Sequence, residues 1–239
     1  MLHTTLYRFL THLFEDVLHL FFPRTCWGCE AALPHGVEHL CVACRGNLHP
    51  TGLHHEADNI LTQRFWGRVA IEQCAACYRY QRGTVVQKLI YGLKYQHQPE
   101  IGQYVGNVYG RALAESPHFS TVDAIVPVPL HPRKLRIRGY NQSAEFGQGL
   151  SDGMGVVQYP NGLVRNAFTS TQTRKSRLER FANVERVFEV SDEKALRGKH
   201  ILLIDDVMTT GATLENCANV LLALGNGTRV SIATIAATI

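Results

Sequence analysis

Apolar positions in this chain follow one rhythm up to about residue 83 and another beyond it. From there on, short runs of branched aliphatics alternate with stretches whose apolar residues recur at i, i+3 and i+4, which predicts a parallel α/β sheet with covering helices. Residues 85–93 and 101–114 read as amphipathic helices, the first running out at Lys94-Tyr95 and the second closed by Ser116-Pro117. Residues 122–128 read as a strand, its end held extended by Pro127 and Pro129. A turn at 138–143 opens a helix to about Leu150, with Asn141 or Ser143 as the cap. Residues 163–165 form a short strand, and 187–190 return to apolar character. A strand at 201–204, a helix at 214–224, a Gly225-Asn226-Gly227 turn and a strand over 230–239 follow.

The first part is less regular. Leu6, Phe9, Leu10, Leu13 and Val17 have the spacing of an amphipathic helix over residues 1–22 that packs on the body or a partner. Glu15 and Asp16 interrupt it and no small-residue cleavage site follows, so the expectation is a cytoplasmic protein with no transmembrane segment. Residues 47–67 lack periodicity and read as a surface connection. Residues 68–80 read as a strand, on which Cys74 and Cys77 point to opposite faces and are packed rather than chelating.

Candidate chemistry concentrates in three places. Residues 201–213 read Ile-Leu-Leu-Ile-Asp-Asp-Val-Met-Thr-Thr-Gly-Ala-Thr, with two acids at the carboxyl end of a buried strand, where open parallel sheets bind ligands. Backbone amides of Thr209, Thr210, Gly211, Ala212 and Thr213 and the following helix amino terminus make a phosphate cradle. Cys26, Cys29, Cys41 and Cys44 make C-x2-C-x11-C-x2-C, the knuckle spacing of a structural zinc site, preferred over reactive or unmetallated thiols. His35 and His39 read as ordinary loop residues beside it. Net charge is only +4, but cations cluster at Arg133, Lys134, Arg136 and Arg138, read as a loop at the sheet mouth that can meet a diphosphate. A second cluster, Arg174, Lys175, Arg177 and Arg180, lies on a polar stretch, 169–183, that reads as an exposed flap.

Together with residues 126–130, the Arg138-Gly139-Tyr140-Asn141-Gln142 turn, Lys94-Tyr95 and Gln172-Thr173, these motifs make the chain resemble the ComF family, including its GntX type. The resemblance implies a type I phosphoribosyltransferase fold over 68–239, a zinc-binding module and linker over 23–67, and a tie to DNA uptake in natural transformation. It implies that Asp205 and Asp206 bind the ribose hydroxyls of 5-phosphoribosyl-1-diphosphate (PRPP) and that residues 209–213 hold its 5-phosphate. Its diphosphate would lie against Pro129 to Arg133 with Mg2+, under a flap carrying Arg174, Lys175 and Arg177. The expected activity is phosphoribosyl transfer. The competing reading is a PRPP sensor or a platform for single-stranded DNA, with competence proteins as partners. The sequence ends with its last strand, which points to residues before about 85, the zinc module foremost, for any acceptor pocket. Phe65, Trp66, Tyr91 and Tyr95, each beside cations, read as core more readily than as stacking platforms.

Overall fold

A computed structural model describes residues 24–166 and 187–239; the expected amino-terminal helix and flap lie outside them. The elements are α1 (Val42–Gly46), α2 (Ile60–Gln63), β1 (Cys74–Arg79), α3 (Val85–Tyr95), α4 (Glu100–Glu115), β2 (Ala124–Pro127), α5 (Pro132–Arg138), α6 (Gln142–Met154), β3 (Leu163–Arg165), β4 (Phe188–Val190), α7 (Glu193–Leu196), β5 (His200–Met208), α8 (Ala212–Leu222) and β6 (Arg229–Ala237). Four strands form a parallel sheet in the order β1-β6-β5-β2, and β3 pairs antiparallel with β4 as a separate ribbon. Each face of the sheet is covered. One carries Leu89, Leu93, Val105, Phe146 and Leu150, the other Leu61, Phe65, Leu214, Cys217 and Leu221. Burial on both faces is why β5 over 201–204 is a continuous apolar run and why β6 is buried along nearly its whole length rather than at alternate positions.

Cys74 and Cys77 fall in opposite layers of this core, as their spacing requires, and burial pushes the Cys77 thiol up to about 12. Such thiols are inert packing groups. Helices α3 and α6 start where side chains satisfy their first amides, Thr84 Oγ1 accepting from Gln87 and Asn141 Oδ1 from Ser143.

Three expectations are revised. The stretch 131–138 is a helix, not a loop: Pro132 takes a first-turn position, His131 Nδ1 accepts from the Arg133 amide at 3.1 Å, and Gly139 closes the helix at φ 80°. None of its residues is buried, so it carries no hydrophobic rhythm to read. The strand expected over 201–204 continues to Met208, placing both acids inside its last turn of pleat. Residues 47–67 are not merely a surface connection, because Leu61 and Phe65 are fully buried and Leu53 nearly so. The chain there runs along the free edge of β1, with the Thr51 amide donating to Cys77 O at 3.0 Å, before α2 folds under the sheet.

α4 and α6 approach until their backbones touch. Gly102, Gly106 and Gly110 recur every fourth residue along α4 and face Gly149 and Gly153 on α6. A Cβ built on Gly106 would stand 2.2 Å from Phe146 O, and one on Gly149 would stand 2.0 Å from Gln103 O. This pairing holds α6, and hence its first turn, against the sheet. Gly106→Ala is expected to destabilise by about 1–3 kcal/mol through overpacking, lowering Tm by roughly 2–4 °C per kcal/mol for a chain of this size. Gly46→Ala, whose Cβ meets no described atom within 4 Å, is expected to leave Tm nearly unchanged in the same thermal melts.

Candidate functional site

The site lies at the carboxyl edge of the sheet, where β5 delivers Asp205 and Asp206. Two adjacent carboxyl groups in partial burial repel each other and lose hydration, so their surroundings must compensate. The Lys94 ammonium, at the end of α3, pairs with Asp206 at 2.8 Å. Ser143 Oγ, in the first turn of α6, donates to Asp205 Oδ1 at 2.8 Å, and the Asp206 amide donates to the same oxygen at 2.8 Å. Burial, then repulsion from Asp206, nonetheless pushes the Asp205 carboxyl up to about 7.

The rest of the pocket is built around this pair. Tyr140 donates to Leu93 O at 2.6 Å, tying the turn before α6 to the end of α3, and Arg138 at the end of α5 donates to Gln142 Oε1 at 2.7 Å. Asn141 Nδ2 donates to Val128 O at 3.0 Å and anchors that turn to the end of β2. Because Pro127 pairs with Ile204, the chain leaves β2 through Pro129 level with the acids and turns into α5, which carries Arg133 exposed on its surface. A cationic surface therefore adjoins the acids on this side.

Beyond Met208 the chain turns through Thr209, Thr210 and Gly211 into α8. Gly211 sits at φ 79° and no side chain caps α8. Thr209, Thr210, Ala212 and Thr213 are exposed, and the amides of Thr210 and Gly211 have no acceptor among the described residues. Open amides at a helix amino terminus are donors suited to an anion. Arg64 and Arg68 hold the far side of this loop, with Arg64 donating to Thr209 O at 3.1 Å and Arg68 to Thr210 O at 3.4 Å.

Of the residues expected at the site, Asp205, Asp206, Thr209 to Thr213 and Pro129 share this edge, with Arg133 at its rim. Arg174, Lys175 and Arg177 lie outside the described residues. Lys94, Ser143, Arg64 and Arg68 join the site through contacts across the fold, and the pattern around each gives no sign of its partner. Tyr91 and Tyr95 prove to be surface residues, 54% and 61% exposed with ring centroids 5.1 Å apart, and Trp66 is 59% exposed; only Phe65 is core.

The cysteine module forms a second centre. The sulfurs of Cys26, Cys29, Cys41 and Cys44 all lie within 4.8 Å of one another. Cys26 Sγ accepts amides from Cys41 at 3.3 Å and Gly28 at 3.4 Å, and Cys41 Sγ accepts that of Cys44 at 3.4 Å. Burial disfavours the Cys26 thiolate, but amides from Cys41, Cys29 and Gly28 outweigh it and bring the thiol down to about 6. Gly28 is required there because a Cβ would stand 2.7 Å from Cys44 Sγ. The cluster can hold one metal ion within four sulfur ligands, a closed and therefore structural arrangement. It is fixed to the body by the Trp27 ring, stacked on His39 at 4.3 Å and meeting Tyr104 of α4 edge-on at 5.9 Å.

Comparison with known proteins gives a consistent set of relatives. A family model described as a phosphoribosyl transferase domain matches residues 143–238. The DNA utilization protein YhgH of Escherichia coli is 32% identical over 85% of this chain and 92% of its own length. Competence protein F of Haemophilus influenzae is 28% identical over 77% of this chain and 91% of its own. Competence protein ComFC of Bacillus subtilis is 25% identical over 89% and 83%. Among the described residues, no helix is long and apolar enough to cross a membrane.

The raised carboxyl gives a pH signature. A protonated Asp205 favours the folded state, a contribution full below its ordinary value of 3.8 and lost as pH rises through about 7. The Tm of Asp205→Asn minus that of the unaltered protein is therefore expected to grow between those pH values and to level off above them. A difference that stays constant across a pH series of melts rejects the assignment.

Proposed function

The chain belongs to the ComF family, and from that premise we propose that it binds PRPP with Mg2+ and transfers the phosphoribosyl group to an acceptor in the handling of incoming DNA. The observation that carries this reading is the pairing of Asp205 and Asp206, wired to Ser143 and Lys94, with open loop amides immediately beyond them. Carboxylates accept hydrogen bonds from vicinal hydroxyls, and the open loop amides beyond them can donate to a phosphate monoester. The diphosphate then extends towards Pro129 and Arg133. Mg2+ bound with the diphosphate would help to neutralise the charge of the leaving group.

In this reading the bond from the anomeric carbon to the diphosphate breaks as the acceptor approaches. The positive charge that develops on the ribose is stabilised by ionised Asp205 and Asp206, and the protein's part is positioning and electrostatics rather than nucleophilic attack. Asp205 accepts ribose hydroxyls best when ionised, so PRPP binding strengthens as pH rises through about 7. Arg174, Lys175 and Arg177 are proposed to close over the diphosphate. Zinc is the proposed ion of the four-cysteine centre, with a structural role.

A second reading, a platform for single-stranded DNA, draws on the exposed Tyr91 and Tyr95 and the Arg138 guanidinium 5.4 Å from the Tyr95 ring centroid. Aromatic rings beside cations stack bases without sequence preference. The two readings diverge in turnover: transfer requires diphosphate release that depends on an acceptor, whereas a platform binds DNA with steep salt dependence and releases none.

At a hundredfold excess over Kd, PRPP with Mg2+ is expected to stabilise the fold by about 2.7 kcal/mol, visible as a rise in Tm. Asp206→Ala is expected to abolish the rise; no shift with the unaltered protein defeats the ligand assignment. Metal analysis of the purified protein is expected to give one zinc per chain, lost with Cys29→Ser together with much of the stability.

A further inference from the structure

We propose that Arg64 and Arg68, from the segment joining the cysteine module to β1, are positioning residues that aim the phosphate-loop amides at the ligand. The proposal rests on the PRPP reading above and names a device that the loop sequence itself does not contain.

The geometry of the peptide unit fixes where these amides point. In a trans peptide the carbonyl and the following N–H point in opposite directions, and no described peptide is cis. Arg64 holds the carbonyl of Thr209 and Arg68 that of Thr210. The amides of the same two peptide units, those of Thr210 and Gly211, are thereby turned away from the guanidinium groups, and neither has an acceptor among the described residues. Cationic donors on the two carbonyls also polarise these units and make the opposite N–H groups stronger donors.

The brace is anchored at both ends. Arg68 is ion-paired with Glu215, one turn into α8, and also donates to Arg64 O at 3.2 Å. The Phe65 ring, between the two arginines in sequence, fills the space behind Gly211, where a Cβ would stand 2.9 Å from Phe65 Cζ. Phe65 is fully buried, so the loop rests on a rigid floor rather than on solvent. Exposed arginines ordinarily contact water; here each of two successive loop carbonyls is taken by a separate guanidinium, which leaves the opposite amides as a preorganised donor array.

Calorimetric titration with two probes tests this. Ribose 5-phosphate engages the loop, and Mg2+-diphosphate engages the opposite side of the site. Arg64→Ala and Arg68→Ala are each expected to weaken ribose 5-phosphate by about tenfold, the order of one charge-assisted hydrogen bond, while Mg2+-diphosphate affinity stays unchanged. The loss is expected to persist at high salt, where simple attraction between exposed charges is screened. Lysine at either position keeps the charge and one donor without the planar fork, so its affinity falls between alanine and arginine. The lysine variants also decide the matter if an alanine variant fails to fold. Unchanged ribose 5-phosphate affinity, equal losses for both probes, or a loss that vanishes at high salt each overturns the proposal. An unaltered protein that binds neither probe overturns the PRPP reading, and this inference with it.

Discussion

Two neighbouring carboxyl groups at the end of a buried strand are the constraint around which the structure is arranged. Left alone they would repel and pay for lost hydration, and the fold answers with one ammonium and one hydroxyl brought from different helices. Lys94 depends on where α3 ends, and Ser143 on where α6 begins. The glycine-lined contact of α4 with α6 sets the second position, because a close backbone approach leaves little freedom for sliding. A site that is chemically two acids and a loop thus draws on most of the helical layer.

The same edge shows how the amino-terminal part is integrated. Cys26, Leu33, Leu40 and Cys44 are continuous with the core of the main sheet, and Trp27 docks the module on Tyr104. The segment that follows pairs with the free edge of β1 and places Phe65 beneath Gly211. A metal within the four sulfurs would then stabilise a module joined through this segment to the loop beyond Met208. That continuity gives the linker a positioning role in place of the passive one its composition suggests.

Legibility followed physical range. The strand–helix alternation, a cap at Asn141, one of the two candidates there, the placement of Cys74 and Cys77 on opposite faces and the convergence of the four cysteines rest on local spacing, and each was readable as such. Helix α5 was not, because it buries nothing and so imprints no period; its proline and glycine boundaries were the only available signs. The exposed Tyr91 and Tyr95 were misjudged for a related reason, since an aromatic on a surface helix and one in a core are written with the same residue.

By itself the sequence determined which groups are present: two acids ending an apolar strand, a Thr-Thr-Gly turn before a helix, and four thiols at knuckle spacing. Periodicities of two and 3.6 residues and motif spacing are local properties, and they survive in one dimension. Tertiary structure alone decided that Lys94 meets Asp206, that Ser143 meets Asp205, and that Arg64 and Arg68 hold the carbonyls of Thr209 and Thr210. Those contacts join residues far apart in the chain, and their geometry is set by how the sheet and its helices pack, which no local pattern encodes.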